Sequence, residues 1–142
     1  MKKTNTYKKL LILPLMVVGV TLLSSSALKV QQKGEWIAPK SADTIKNPLK
    51  GKAETIALGK KTYTMYCVAC HGDKGKGDGI AATGLNPRPA NHTTEKFQSQ
   101  SDGAIFWKLT TGRPPMAAYE KILTVQQRWQ LVNYMRTLKA AK

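Results

Sequence analysis

The most chemically reactive side chains of the sequence lie together in one short segment. Cys67, Cys70 and His71 form the pattern Cys-x-x-Cys-His, with two thiols three positions apart and an imidazole directly after the second. Thiols at this spacing can each form a thioether with neighbouring vinyl groups of one porphyrin, and the adjacent imidazole can then reach the iron. The pattern is typical of covalent haem attachment through Cys67 and Cys70, with His71 as an iron ligand.

Three other kinds of site could use the same residues. A thioredoxin-like dithiol would follow a strand of a βαβ unit, and no such unit precedes Cys67. A structural zinc ion would need His92, the other histidine, as its fourth ligand, and two of its four ligands would be adjacent in sequence. A disulfide between Cys67 and Cys70 would leave His71 without a role. The pattern favours haem over these alternatives.

The segment before the cysteines has helical periodicity. Apolar and small residues recur at steps of three and four positions: Ile56, Gly59, Tyr63, Tyr66 and Cys70. This spacing predicts a helix over residues 52–68 that delivers Cys67 near its end. Met65 and Met135 lie within helical stripes and are predicted to be core residues.

Two more helices are predicted after a long loop over residues 71–100. Ser101 can cap a helix over residues 101–110, which Gly112 ends. Thr124 and Gln127 have the spacing of a capping box at the start of a helix with a wide apolar face. No strand pattern and no internal repeat are present, so the predicted fold class is all-α with long loops. Loops of this length indicate that something besides apolar side chains organises the domain.

The N-terminus has the organisation of an export signal. Lysines precede an apolar run over residues 10–23, and small residues follow it up to Ala27. We predict a signal peptide over residues 1–27, with an uncleaved membrane anchor as the alternative, and therefore a periplasmic location. Residues 28–50 are predicted to be an extension or linker in which Trp36 and Ile37 contact the domain. The domain itself is predicted to cover residues 51–142.

The chain is strongly basic, with a formal net charge of +15. This charge favours acidic proteins, anionic membrane surfaces or nucleic acid as partners. Export and the lack of a nucleic-acid-binding motif argue against nucleic acid.

Several motifs, in a fixed order, resemble one known family. They are Gly59-x-x-x-Tyr63, Cys67 to Gly72, Gly75-x-Gly77-Asp78-Gly79, Pro87-Arg88-Pro89, Asp102 to Trp107, Gly112 to Met116, and Arg128 to Leu138. Over about residues 54–138 the sequence is similar to bacterial class I monohaem cytochromes c. The resemblance implies the class I cytochrome c fold, in which three main helices and long loops surround one covalent haem.

The resemblance also implies roles for residues outside the cysteine segment. Met116, in the loop before the last helix, would be the sixth iron ligand, with His92 as a less favoured rival on the His71 side. The backbone carbonyl of Pro89 or Pro87 would accept a hydrogen bond from the second ring nitrogen of His71. Gly59 would let the first and last helices cross closely. Relatives tend to have an apolar residue where this chain has His92.

The function implied by the resemblance is one-electron transfer in a periplasmic or respiratory chain, with haem c and its iron as cofactor and no catalytic residues. The alternatives are a membrane-tethered subunit of a larger respiratory complex and a haem enzyme such as a peroxidase. Basic residues expected near the haem rim would steer docking onto acidic redox partners: Lys74, Lys76, Lys108 and Arg113.

Overall fold

The computed structural model describes residues 34–140, and the regular elements in this range are helices. They are a 3-10 helix at Lys40–Thr44, α1 at Glu54–Tyr66, α2 at Val68–His71, a 3-10 helix at Ala82–Gly84, α3 at Glu95–Gln98, α4 at Asp102–Thr111 and α5 at Val125–Thr137. The all-α class with three longer helices (α1, α4 and α5) is confirmed. None of the helices in this part of the chain is long and apolar enough to cross a bilayer. The predicted signal peptide over residues 1–27 lies outside the described residues.

The centre of the fold is the crossing of α1 and α5. Tyr63 of α1 and Leu131 and Val132 of α5 are each 0% exposed. At the crossing, a Cβ on Gly59 would lie 2.0 Å from the backbone oxygen of Gln130 and 2.9 Å from Cβ of Tyr134. The predicted close approach at Gly59 is therefore present, and it needs a residue without a side chain.

α1 is shorter than the predicted helix over residues 52–68. It ends at Tyr66, and its C-cap Cys67 donates its backbone N–H to the carbonyl of Tyr63 before the short helix α2 begins. Cys67 thus lies near the end of the first helix, as predicted, and a second short helix follows it. The core prediction for Met135 is confirmed, whereas that for Met65 is wrong because this side chain is 64% exposed. Met65 follows the buried Tyr63 by two positions, which places it on another face of the helix.

The start of each of the other two long helices is capped as predicted. The Ser101 hydroxyl accepts from the backbone N–H of Ala104 at 3.0 Å, and Gly112 ends α4 with a φ of 61°. At α5, Thr124 and Gln127 exchange side-chain and backbone hydrogen bonds in a capping box. Local side-chain chemistry therefore sets these helix boundaries.

Residues 36–50 pack on the helices. The backbone of Ala42 runs so close to α4 that a Cβ on Gly103 would lie 2.0 Å from the Ala42 oxygen. The Asn47 amide donates to Asp102 at 2.9 Å and to Asn133 at 2.8 Å, which joins this segment to both α4 and α5.

Of the two residues predicted to hold the extension on the domain, Trp36 does make such a contact. Its ring lies 6.4 Å from that of Trp107, and Lys108 and Arg113 place their charges over it at 5.6 and 5.2 Å from the ring centroid. The prediction of a similar contact for Ile37 is wrong, because this side chain is 73% exposed.

Candidate functional site

The two cysteines and the histidine lie on one turn of helix. His71 and Cys70 donate their backbone N–H groups to the carbonyl of Cys67 at 2.8 and 3.2 Å. The two cysteines do not form a disulfide, and Cys67 is buried whereas Cys70 is half-buried. Burial, with a contribution from Cys70, raises the pKa of Cys67 to about 12. This direction is opposite to the lowered pKa that activates the nucleophilic cysteine of a redox dithiol.

A glycine-rich loop folds back on this turn and holds it. Gly77 donates its backbone N–H to the carbonyl of His71 at 2.8 Å, and Gly79 donates to that of Cys70 at 3.2 Å. A Cβ on Gly79 would lie 2.4 Å from the carbonyl oxygens of Val68 and Ala69. A residue with a side chain at position 79 would push the loop away from the helix that carries the cysteines.

The His71 ring is oriented by a backbone carbonyl, but not by either of the predicted ones. Its Nδ1 lies 3.0 Å from the carbonyl oxygen of Ala90. The prediction of Pro89 or Pro87 is therefore wrong. The Pro89 oxygen faces the glycine loop, where a Cβ on Gly77 would lie 2.5 Å from it, and the next carbonyl along the chain reaches the imidazole. Nothing in the sequence marks this atom, because every residue has a carbonyl.

The Nδ1 contact leaves the other ring nitrogen, Nε2, available as a metal ligand. Burial lowers the pKa of His71, and the hydrogen bond with Ala90 opposes this effect in part. The neutral imidazole is the form that binds metals, and a hydrogen bond at one nitrogen determines which nitrogen ligates.

Met116 lies in the loop between α4 and α5, and short-range contacts hold this loop. Met116 and Arg113 exchange backbone hydrogen bonds at 2.8 and 3.1 Å. Met116 is half-buried and packs against the hydrophobic core, as does Tyr119. The Tyr119 hydroxyl donates to the carbonyl of Tyr66 at 3.2 Å, and its backbone N–H donates to Leu109 at 3.0 Å. The loop that offers the thioether is thus anchored to the ends of α1 and α4. The assignment of Met116 as an iron ligand stays a prediction.

His92, the rival ligand, lies against His71. The two rings are stacked with centroids 4.2 Å apart and an interplanar angle of 24°, and His92 is only 5% exposed. Burial, followed by the effect of His71, lowers the pKa of His92 well below its usual value. Two rings stacked in this way cannot approach one iron from opposite faces of a porphyrin. Sequence reasoning placed His92 on the His71 side but found no role for it.

The donor set fits a covalent haem. Two thiols share one helical turn, a neutral imidazole beside them has one nitrogen already hydrogen-bonded, and a thioether lies in a separate anchored loop. Imidazole and thioether are standard axial ligands of haem iron, and paired thiols supply the covalent attachment.

Comparisons with known proteins agree with this fit. The family model of cytochrome c matches residues 56–139. Among curated proteins, none matches the sequence. Among solved structures, one similar chain belongs to the reducing HAO-like protein complex Kustc0457/Kustc0458 of Kuenenia stuttgartiensis, with a TM-score of 0.59 and 32% identity over 68% of this chain. The match spans 50% of that chain, so this protein corresponds to about half of it.

Two further structures have a similar fold. The c-type cytochrome KustC0563 has a TM-score of 0.51 and 28% identity, covering 58% of this chain and 98% of its own. Cytochrome CL of the marine methylotroph Methylophaga aminisulfidivorans has a TM-score of 0.55 and 18% identity, covering 78% of this chain and 72% of its own. At this identity, the last similarity concerns the fold alone.

Proposed function

Since this chain belongs to the cytochrome c family, we propose that it is an exported one-electron carrier of a periplasmic or respiratory chain rather than an enzyme. The covalently bound c-type haem of such a domain supplies the one-electron chemistry at its iron. The observation that supports a carrier is the pair of anchored ligand candidates, His71 held by Ala90 and Met116 held within its own loop.

Each residue has a separate task in this proposal. Cys67, at the junction of α1 and α2, and Cys70, within α2, would attach the cofactor. His71 would present Nε2 to the iron, because its Nδ1 is hydrogen-bonded to Ala90. Met116 would supply a neutral thioether to the iron, which would raise the reduction potential. A carrier of this kind needs no residue that binds a substrate at the iron, whereas a peroxidase needs an open position.

The Met116→Ala variant tests the proposal. We expect wild-type holoprotein to bind no carbon monoxide in the reduced state and to have negligible peroxidase activity. We expect Met116→Ala to bind carbon monoxide readily and to have a lower midpoint potential, because water or an exogenous ligand replaces the thioether. Met65→Ala is the matched control, since Met65 is exposed on α1. Rapid carbon monoxide binding or peroxidase turnover by the wild type would refute the carrier.

The proposed partners are redox proteins with acidic docking surfaces. Of the four basic residues expected near the haem rim, Lys74 and Lys76 are exposed in the glycine-rich loop that follows the cysteines. Lys108 and Arg113 instead pack over the Trp36 ring. Ile80 lies four residues after Lys76 and is 93% exposed, so it offers an apolar contact in the same segment. We infer that Lys74, Lys76 and Ile80 form the docking surface.

A membrane-tethered subunit of a larger respiratory complex is the second candidate. The packing of residues 36–50 on α4 and α5 supports it, because a docked extension is expected in a tethered subunit. The similarity to a chain of a multiprotein complex is in keeping with it. Recovery of the haem protein in the membrane fraction would favour the tethered subunit, and recovery in the soluble periplasm would favour the free carrier.

A further inference from the structure

Three rings lie against His92: those of His71, Phe97 and Tyr63. Its ring stacks on His71 with centroids 4.2 Å apart, and its centroid lies 4.5 Å from that of Phe97 with an interplanar angle of 38°. With 5% of its surface exposed, His92 has little space in which to rotate.

Hydrogen bonds determine which way the His92 ring faces. Its Nδ1 lies 3.3 Å from the Tyr63 hydroxyl, which in turn donates to the carbonyl of Gly72 at 3.2 Å. With the hydroxyl proton on the Gly72 side, the His92 tautomer that carries its proton on Nδ1 completes the chain by donating to the hydroxyl oxygen. This chain of bonds leads from His92 back to the residue directly after His71.

The backbone of His92 is held on both sides of the ring. Its N–H donates to the carbonyl of Gly75 at 2.6 Å. Its carbonyl accepts from the Gln98 amide at 2.7 Å, and the same amide donates to Met135 of α5 at 2.9 Å. The ring therefore stands on a rigid base connected to the glycine-rich loop and to the last helix.

His71 needs such a neighbour because one hydrogen bond does not determine its ring plane. The terminal torsion of a histidine side chain is broad, so the ring can rock about the axis through Nδ1 and its acceptor Ala90. A flat aromatic surface against one face of the imidazole stops this motion. The hydrogen bond sets where Nε2 points, and the stacked ring sets the plane.

We propose that His92 is a positioning residue that fixes the plane of the His71 imidazole and thereby the electronic state of the iron that His71 ligates. The inference rests on the proposed role of His71 as an iron ligand. The haem methyl hyperfine shifts and the EPR g-values of the oxidised protein depend on the plane of an axial histidine. They therefore report the orientation of His71 rather than stability.

Three variants separate the stacking from the hydrogen bond. His92→Leu removes the aromatic surface, His92→Phe keeps it without Nδ1, and Tyr63→Phe removes only the hydroxyl. We expect His92→Leu to shift the haem methyl resonances and change their order, with a broadened EPR signal. We expect His92→Phe to restore most of the wild-type pattern, and Tyr63→Phe to give a smaller shift than His92→Leu. A folded His92→Leu protein with wild-type methyl shifts and g-values would overturn the proposal.

A measurement on the wild type covers the case in which His92→Leu does not fold. In the reduced protein, nuclear Overhauser effects between the ring protons of His71 and His92 are expected, and their absence would overturn the proposal. If His71 is not an iron ligand at all, the oxidised wild type will lack its hyperfine-shifted histidine signals. That result contradicts the proposed function, and it differs from a wild-type spectrum that the His92 variants leave unchanged.

Discussion

Replacing Gly59 by alanine tests whether the crossing of α1 and α5 holds the domain together. In an open helix position this change stabilises a protein by about 0.5–1 kcal/mol, because alanine loses less conformational entropy on folding than glycine. In this chain the added methyl group would lie 2.0 Å from the backbone oxygen of Gln130, where ordinary contact begins at 3.4 Å. The close crossing of the two helices therefore predicts that Gly59→Ala lowers the free energy of unfolding instead of raising it.

The size of the stability loss depends on how far α1 and α5 must separate to make room for the methyl group. The closest obstacles are backbone atoms of Gln130, which cannot rotate away as a side chain could, so the helices must separate by about 1.4 Å. Overpacking of a core costs about 1–3 kcal/mol, and we expect the upper end because both partners are helix backbones. After the gain in helix propensity is subtracted, the net loss is about 2 kcal/mol. For a domain of this size it lowers the melting temperature by about 8–16 °C.

The assay is thermal unfolding of the purified haem proteins, followed by circular dichroism. Gly84→Ala is the matched control, because a Cβ at that position meets nothing within 4 Å and its φ is not positive. We expect the control to stay within about 0.5 kcal/mol of the wild type. A Gly59→Ala protein as stable as the wild type, or more stable, would refute the reasoning.

Two further predictions concern charge. Burial alone would raise the pKa of Asp102, but hydrogen bonds from Asn47 and Arg136 and the charge of Arg136 lower it. A lowered folded-state pKa contributes stability above the unfolded value and loses it as the pH falls through the folded value. Asp102→Asn should therefore lower the free energy of unfolding by about 1–2 kcal/mol at pH 7 and by almost nothing well below pH 4. Glu95 is an exposed carboxylate, so Glu95→Gln should change the free energy of unfolding little at either pH. Replacing both Lys74 and Lys76 by glutamate should slow electron transfer with an acidic partner about tenfold at low ionic strength. Lys40→Glu, outside the docking surface, should slow it less. Equal electron-transfer rates for all of these proteins would contradict the docking surface.

The parts of the fold that the sequence predicts are those governed by local chemistry. The starts of α4 and α5 could be located because Ser101 and Thr124 bind backbone N–H groups within three residues of themselves. The cysteine segment could be assigned because its chemistry depends on residue type and spacing. Met65 shows the limit of periodicity, which detects a helix but cannot tell which of several apolar positions faces the neighbouring helix.

The extension shows a second limit. Residues 36–50 have few apolar side chains, and this composition favours a linker. What holds the segment is a set of contacts with residues far along the chain, such as the pair of hydrogen bonds from Asn47 to Asp102 and Asn133. Such a contact becomes visible only once α4 and α5 are in place, so polarity alone does not distinguish a linker from a docked segment.

The functional site shows a third limit of sequence-based prediction, because backbone atoms orient His71, the candidate iron ligand. Ala90 binds His71 through its carbonyl oxygen, an atom that any residue at that position would supply. The residue type is informative only where the backbone must come close, as at Gly77, whose missing side chain leaves room for the Pro89 oxygen and so lets the next carbonyl reach the imidazole. His92 differs from Ala90, since the ring of His92 and not its backbone contacts His71. A substitution at position 90 that keeps the backbone in place should thus leave His71 undisturbed, whereas a non-aromatic residue at position 92 should not.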